Sequence, residues 1–247
     1  MSGFLRAIIA ILLLIWSSAS SAGEVFVASA ANFTSALDRL GPAFEKETGH
    51  RLKVSLGSTG KLYAQIVNGA PFDVFLSADQ ERAAKVVTAG LAVKGSQFTY
   101  AIGHLVLWVP GGTAKPEALR ADDIRKISVA HPELAPYGTA AMQTLRQLDL
   151  ETAVAGKLVI GENIGQTFAF VGSGNAQAGF VAEAQLLGRD LTPEEAWQVP
   201  SKLHQPVRQD AVLLKRGEAN AAASAFVQFL RSDAAKAIIV SSGYTLD

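Results

Sequence analysis

The stretch EVFVASAANFTSALDRLGPAFEKET (24–48) carries the fold prediction, because an apolar, β-branched run leads directly into a helical pattern. It predicts a strand over 24–30 and a helix over 35–48. The same order recurs in residues 52–68 and 73–89. Such repeats predict parallel strands joined by right-handed helical crossovers, with the carboxyl ends of the strands and the starts of the helices at one sheet edge.

A second group of patterns follows the long apolar run 98–109. Its elements, and the helices that close the chain, are predicted as strands at 127–130, 157–160 and 178–182 and helices at 139–148, from Gln166, at 219–231 and at 233–241. The extended runs 98–109 and 207–214 are the natural crossings between the two groups. Two crossings predict a hinge, and hence an α/β clam-shell whose ligand site lies in the cleft.

This interpretation divides the chain into two lobes. Residues 23–102 and 208–247 form lobe I, and residues 103–207 form lobe II. Each lobe is predicted to hold a mostly parallel sheet flanked by helices, with two crossover strands as the hinge. A single large doubly wound domain is the alternative that the length leaves open.

Composition excludes several classes of protein. The 247 residues are 49% hydrophobic and 18% charged, which excludes a disordered chain. The 22 basic and 22 acidic side chains balance, so neither nucleic acid nor an anionic membrane surface is an expected partner. Cysteine is absent, which excludes disulfides, thiolate catalysis and a lipid anchor on an N-terminal cysteine.

The N-terminus has the pattern of a cleaved secretory signal. Arg6 precedes an apolar run, 7–16, and a small-residue stretch, 17–22, with Ser20 and Ala22 at the spacing that signal peptidase accepts. A membrane anchor would need about 20 apolar helical residues. Residues 1–22 are therefore predicted to be a signal peptide, and the mature chain to be a free periplasmic protein.

Motifs for common chemistries are incomplete. The segment GSTGK (57–61) resembles half of a phosphate loop, but Ser55 and Leu62 stand where that motif requires Gly and Ser or Thr. Neither G-x-S-x-G nor H-E-x-x-H occurs, and the four histidines are scattered. No enzyme, cofactor or direct protein–metal ligand is predicted; a secreted serine hydrolase is the disfavoured alternative from another class.

Two strand-to-helix junctions are rich in hydroxyl, amide and small residues: ASAANFT (28–34) and GSTG (57–60). A helix start leaves its first N–H groups unpaired, and these form an anion receptor that needs no Lys or Arg. Asn32 and Thr59 would add side-chain donors there. The alternative is that these residues are ordinary N-caps.

Six segments also carry a family resemblance: VFVASAANFTSAL (25–37), GSTGKLYAQIVNGAPFDVFLSAD (57–79), FTYAIGHLVLWVP (98–110), HPELAPYGTAAMQTL (131–145), GENIGQ (161–166) and AGFVAEAQ (178–185). Together they resemble the periplasmic molybdate-binding proteins of ABC importers. The resemblance implies a type II periplasmic-binding fold in which a tetrahedral oxyanion is held between two lobes without charged side chains.

The resemblance also implies which residues bind the ion. The Ala31 amide, Asn32 and Thr59 are expected from lobe I, and Tyr137 and the backbone of Ile164 from lobe II. Many members of the family carry a tyrosine where this chain has Ala182, and a small residue at 137. The chain therefore resembles a subgroup in which the phenol comes from the other loop.

Hydrogen-bond chemistry is consistent with the ligand that the resemblance implies. Molybdate and tungstate are fully ionised at neutral pH, so a shell made only of N–H and O–H donors suits them, whereas phosphate still carries a proton that needs an acceptor. Sulfate, or another tetrahedral oxyanion, is the alternative ligand, since only cavity size separates it. The predicted partners are the oxyanion and the membrane permease of an importer, with the protein acting as a monomer.

Overall fold

The structure is a computed structural model and describes residues 22–247. Apart from Ala22, the predicted signal peptide lies outside these residues. Within the described range, no helix has the length and apolar character needed to cross a membrane.

The first of two sheets is built from both ends of the described chain. Its strands are β1 (Glu24–Ala30), β2 (Arg51–Gly57), β3 (Val74–Ser77), β4 (Phe98–Gly103) and β10 (Val207–Leu213). The order across the sheet is β2-β1-β3-β10-β4. Helices α1 (Thr34–Thr48), α2 (Thr59–Val67), α3 (Gln80–Thr88), α7 (Ala221–Phe229) and α8 (Asp233–Ser241) flank it. β2 is an edge strand, and its residues are exposed or half-buried.

The second sheet is formed by the middle of the chain. Its strands are β5 (Leu105–Trp108), β6 (Ile127–Ala130), β7 (Leu158–Gly161), β8 (Ala178–Ala182) and β9 (Ala196–Gln198). Their order is β7-β6-β8-β5-β9. The helices of this part are α4 (Pro136–Gln147), α5 (Glu151–Val154) and α6 (Ile164–Gly172).

Both sheets are mixed rather than mostly parallel. In the first sheet β1 pairs in parallel with β2 and β3, whereas β10 is antiparallel to β3 and β4. In the second, β6 is parallel to β7 and β8, whereas β5 is antiparallel to β8 and β9. The antiparallel strands are those that carry the chain between the sheets, because such strands are not joined to their neighbours by helical crossovers.

The two predicted crossings lie at definite points. The run 98–109 is divided by a single residue, His104, which separates β4 of one sheet from β5 of the other. The return crossing lies before β10, so 207–213 belongs wholly to the first sheet. Each sheet packs on its own apolar core, which includes Phe33 and Phe226 in the first and Phe180 in the second. The predicted lobe boundaries themselves stay a prediction.

One helix begins where it is predicted, and another begins three residues earlier. α8 begins at Asp233 as predicted, because the Ser232 hydroxyl accepts a hydrogen bond from the Ala235 N–H. α4, predicted from residue 139, begins at Pro136, since proline suits the first turn of a helix. The strand β9 has three residues and was not predicted.

Candidate functional site

A small cavity lies where the two sheets face each other. Its lining consists of residues 30–32, 57–59, 78, 135–137 and 163–164, all uncharged. The cavity volume is about 10 Å³. The five residues predicted to bind a ligand, namely Ala31, Asn32, Thr59, Tyr137 and Ile164, all belong to this lining.

The junction after β1 brings Ala31 and Asn32 to the cavity. A short 3-10 helix, Ala31–Phe33, follows the strand and continues into α1. It begins without a side-chain cap, so its first N–H groups are available to a ligand. Small residues at 30 and 31 let a ligand approach these N–H groups.

The Asn32 side chain is held by partners inside the first lobe. Its Nδ2 donates to Gln209 Oε1 at 2.8 Å and to the Tyr244 hydroxyl at 3.2 Å. Tyr244 in turn donates to the Asn32 carbonyl oxygen at 2.7 Å. Both hydrogens of the carboxamide therefore have protein partners.

The start of α2 supplies two hydroxyl groups. Thr59 Oγ1 accepts from the Ala78 N–H at 3.1 Å, and the Ser58 Oγ accepts from the Lys61 N–H at 3.4 Å. Both side chains are buried. Each hydroxyl oxygen thus accepts from a main-chain N–H, which leaves the hydroxyl hydrogen free to be donated to another acceptor. Ser58 is not among the residues predicted from the sequence, although its position before a helix is typical of an N-cap.

Tyr137 reaches from the second lobe towards the first. It is the second residue of α4 and is buried. Its hydroxyl lies so close to Gly103 that a Cβ on that glycine would stand 1.9 Å from it. The same hydroxyl accepts from Gln209 Nε2 at 3.5 Å.

Burial keeps the phenols of this region protonated. The pKa of Tyr137 is raised well above its ordinary value, first by burial and then by the nearby Tyr244 and Tyr100; the hydrogen bond from Gln209 opposes this in part. Burial likewise raises the pKa of Tyr100 and of Tyr244. At neutral pH these hydroxyls therefore carry their protons and can donate.

The start of α6 completes the lining. Asn163 is the N-cap, and its Oδ1 accepts from the Gln166 N–H at 3.0 Å. Ile164 is the first helical residue and is buried. Its N–H points out of the helix start, where the partial positive charge of the helix lies. Asn163 is not among the residues predicted from the sequence, although Asn is a preferred N-cap residue.

Three polar contacts join the two lobes beside the cavity. The Gly60 N–H donates to the Leu134 carbonyl oxygen at 2.9 Å. Lys61 and Glu162 form an ion pair at 2.9 Å with both side chains largely exposed. Arg82 donates to the carbonyl oxygen of Glu133. A ligand in the cavity would therefore contact both lobes at once.

The chemistry of the lining is that of a donor shell. The starts of the 3-10 helix and of α6 supply N–H groups, and Ser58, Thr59 and Tyr137 add hydroxyl groups. Among residues 22–247, no group of three or more His, Cys, Asp or Glu is arranged to hold a metal ion. The lining contains no carboxylate or imidazole that could act as a general base.

This two-lobed fold and its interlobe cavity define a ligand receptor of the solute-binding class. Residues 25–245 match the family of bacterial extracellular solute-binding proteins, and the chain belongs to that family.

The chain is similar to two molybdate-binding proteins and to the solved structure of a periplasmic molybdate-binding protein. The chain is 43% identical over 230 residues to the molybdate-binding protein of Rhodobacter capsulatus, covering 92% of this chain and 90% of the relative. It is 45% identical over 236 residues to that of Azotobacter vinelandii, covering 92% of each. The structure of the Azotobacter vinelandii periplasmic molybdate-binding protein superposes with a TM-score of 0.86, covering 90% of this chain and 99% of that one at 39% identity.

Proposed function

We propose that this protein is a periplasmic receptor that captures molybdate, and tungstate with it, in the interlobe cavity and delivers the ion to an ABC importer. The observation that carries the proposal is the uncharged lining, to which helix starts and hydroxyl groups from two lobes contribute donors. The relatives from Rhodobacter capsulatus and Azotobacter vinelandii are molybdate-binding proteins, which supports the choice of molybdate.

The donor shell favours an ion that only accepts hydrogen bonds. Molybdate and tungstate present four oxygens without protons, whereas phosphate at neutral pH carries a proton that this lining would leave unmatched. Sulfate shares the acceptor chemistry and is the second candidate. It differs in size, so stretched hydrogen bonds would be the reason for its weaker binding.

Within this proposal each predicted residue has one role. The N–H groups of Ala31 and Asn32 and the hydroxyl of Thr59 bind the ion from lobe I. The hydroxyl of Tyr137 and the N–H of Ile164 bind it from lobe II. At about 1.5 kcal/mol per heavy atom, the five heavy atoms of such an ion give about 7.5 kcal/mol, which corresponds to a Kd of a few micromolar.

We infer that the protein acts as a monomer without a cofactor and catalyses no reaction. The ion bridges both lobes, so the closed form is the state that a permease would recognise. Absence of catalysis is checked by incubation with ester and phosphoester substrates. Turnover that depends on Ser58 or Thr59 would contradict it.

Thermal melting with an oxyanion panel tests the proposal. Molybdate or tungstate at 100 times its Kd should raise the free energy of unfolding by about 2.7 kcal/mol. Sulfate should act only at far higher concentration, and phosphate least of all. If molybdate does not stabilise the protein, the proposal is rejected. If sulfate stabilises it more strongly than molybdate at the same concentration, sulfate is the ligand instead.

A further inference from the structure

Gln209 is a buried polar residue that sequence analysis did not select. It lies on β10 in the first sheet and its exposed fraction is 0%. Its carboxamide stands between Asn32 of lobe I and Tyr137 of lobe II. We propose that Gln209 is a positioning residue that forces the Tyr137 hydroxyl to act as a donor, and so determines specificity for unprotonated oxyanions. This inference rests on the proposed function.

The direction of each hydrogen bond follows from a fixed starting point. The Asn32 carbonyl oxygen can only accept, so Tyr244 must donate to it at 2.7 Å. With its hydrogen used, the Tyr244 oxygen is an acceptor for the Asn32 side chain, which places Nδ2 there at 3.2 Å. The orientation of the Asn32 carboxamide is therefore fixed by the backbone.

The orientation of the Gln209 carboxamide is fixed in turn by the Asn32 side chain. Because Asn32 presents Nδ2, the Gln209 atom facing it at 2.8 Å must be the oxygen. The Tyr100 hydroxyl donates to this oxygen as well, at 3.1 Å. Rotating the Gln209 carboxamide by half a turn would set its NH2 group against the NH2 group of Asn32. Gln209 Nε2 is consequently held towards Tyr137.

The hydrogen bond from Gln209 to Tyr137 determines whether the Tyr137 hydroxyl donates or accepts in the cavity. Gln209 Nε2 approaches its oxygen at 3.5 Å, the longest distance in the series. A donor on that side disfavours rotation of the phenolic hydrogen towards Gln209 and leaves the hydrogen for the cavity. The Thr59 and Ser58 hydroxyl oxygens also accept a hydrogen bond, but from main-chain N–H groups. Tyr137 alone among these three hydroxyls depends on a replaceable side chain.

A hydroxyl of fixed polarity discriminates between ions. A freely rotating phenol could accept the proton of hydrogen phosphate as readily as it could donate to molybdate. With Gln209 in place, only the donor orientation is satisfied, and the proton of phosphate finds no acceptor at this position. The predicted signature of Gln209 is therefore the ratio of molybdate to phosphate affinity as well as the affinity for molybdate.

Two substitutions separate the possibilities. In Gln209→Met the hydroxyl loses its fixed polarity, and the Kd for molybdate should rise roughly tenfold, the equivalent of one net hydrogen bond, while that for phosphate rises less. Gln209→Glu is nearly isosteric and places a carboxylate oxygen, which accepts from Tyr137, where Nε2 was. It should weaken molybdate binding more strongly.

The matched control is Asp210→Asn. Asp210 is the next residue on the same strand, is equally buried, and accepts hydrogen bonds from Gln97 and Thr99 instead of facing the cavity. Its substitution should leave both Kd values within about twofold of wild type, whatever it does to the melting temperature.

A double-mutant cycle with Tyr137→Phe, measured by calorimetry, decides between positioning and simple packing. If Gln209 acts through the hydroxyl, Gln209→Met should have little further effect on the Kd in the Phe background. An equal effect in both backgrounds, or an unchanged Kd and unchanged ion ratio in the single variant, overturns the inference. Should Gln209→Met not fold, the same cycle with Gln209→Glu gives the answer. Wild-type protein that fails to bind molybdate would reject the proposed function instead.

Discussion

The two halves of the cavity differ in where their donors are held. In lobe I, Thr59 is fixed by the Ala78 N–H and Asn32 by Gln209 and Tyr244, all within the same lobe. In lobe II, the polar contact of Tyr137 is with Gln209 across the cleft. The first half is thus organised by its own lobe, whereas the second acquires part of its order from the first.

This difference assigns separate tasks to the halves. A preorganised half can bind the ion first without losing side-chain freedom, because that freedom was lost on folding. The other half then completes the shell as the lobes meet. The substitutions and conditions below test this division, beginning with the largest expected effect.

Alkaline pH should lower the free energy of unfolding, because three buried tyrosines around the cavity then lose their protons. Burial raises the pKa of Tyr100, Tyr137 and Tyr244 above the value of about 10 expected in the unfolded chain. A raised pKa in the folded state adds stability that is complete below pH 10 and is lost as the pH rises further. Three protons correspond to a slope of about 4 kcal/mol per pH unit in the free energy of unfolding.

Urea unfolding at a series of pH values measures that slope. Tyr100→Phe should lower it by about 1.4 kcal/mol per pH unit. Phe44→Leu, which changes a buried ring of the same core that carries no titratable group, is the control and should leave the slope unchanged. A slope in wild type that corresponds to less than one proton would contradict the assignment.

Thr59→Ala should weaken molybdate binding by about 1.5–3 kcal/mol, because it removes a donor to a buried anion. Thr59→Ser retains the hydroxyl and should stay within about 0.5 kcal/mol of wild type. Isothermal calorimetry gives both values. Equal affinity in the Ala and Ser variants would remove Thr59 from the ligand shell.

Gly60→Ala should act on closure rather than on either half alone. A Cβ at residue 60 would stand 2.9 Å from the Leu134 Cδ2 and 3.1 Å from its Cα, across the cleft. Overpacking of this kind costs about 1 kcal/mol or more, and here only with the lobes together. Molybdate affinity should fall while the melting temperature without ligand changes little. Gly41→Ala, a position with nothing within 4 Å, is the control, and an equal loss there would refute the clash.

The ion pair between Lys61 and Glu162 should have the smallest effect. Both side chains are largely exposed, at 47% and 62%, so solvent and salt screen them. Lys61→Ala should reduce affinity by about 0.5 kcal/mol or less, and the loss should vanish at high salt. A loss above about 1 kcal/mol in a double-mutant cycle with Glu162→Ala would show that the rim contributes more to closure than the buried contacts suggest.

Local pattern was enough to predict much of the fold and the segments that form the cavity. β1 was predicted at Glu24–Ala30 from its apolar, β-branched run, and α8 at Asp233–Ser241 from its helical pattern. The predicted ligand residues all line one cavity, because helix starts that follow neighbouring parallel strands meet at one edge. Their action on an ion stays a prediction.

The supporting network could not be predicted in this way. Gln209 lies 177 positions from Asn32, and no local periodicity connects them. Gly103 resembles an ordinary strand end until Tyr137 is seen against it. Contacts of this kind depend on how two separately folded sheets approach each other, which a single sequence does not encode in short patterns.

The position of His104 has a mechanical consequence. This residue alone joins β4 to β5, so a rotation of the lobes about it displaces nearby atoms least and distant atoms most. Tyr137 touches Gly103 beside this pivot, whereas Lys61 and Glu162 follow β2 and β7, the strands at the far edges of the two sheets. Release of the ion would accordingly begin with separation of the rim contacts and progress inwards, and the Tyr137 hydroxyl would be the last group to lose its contact with the ion.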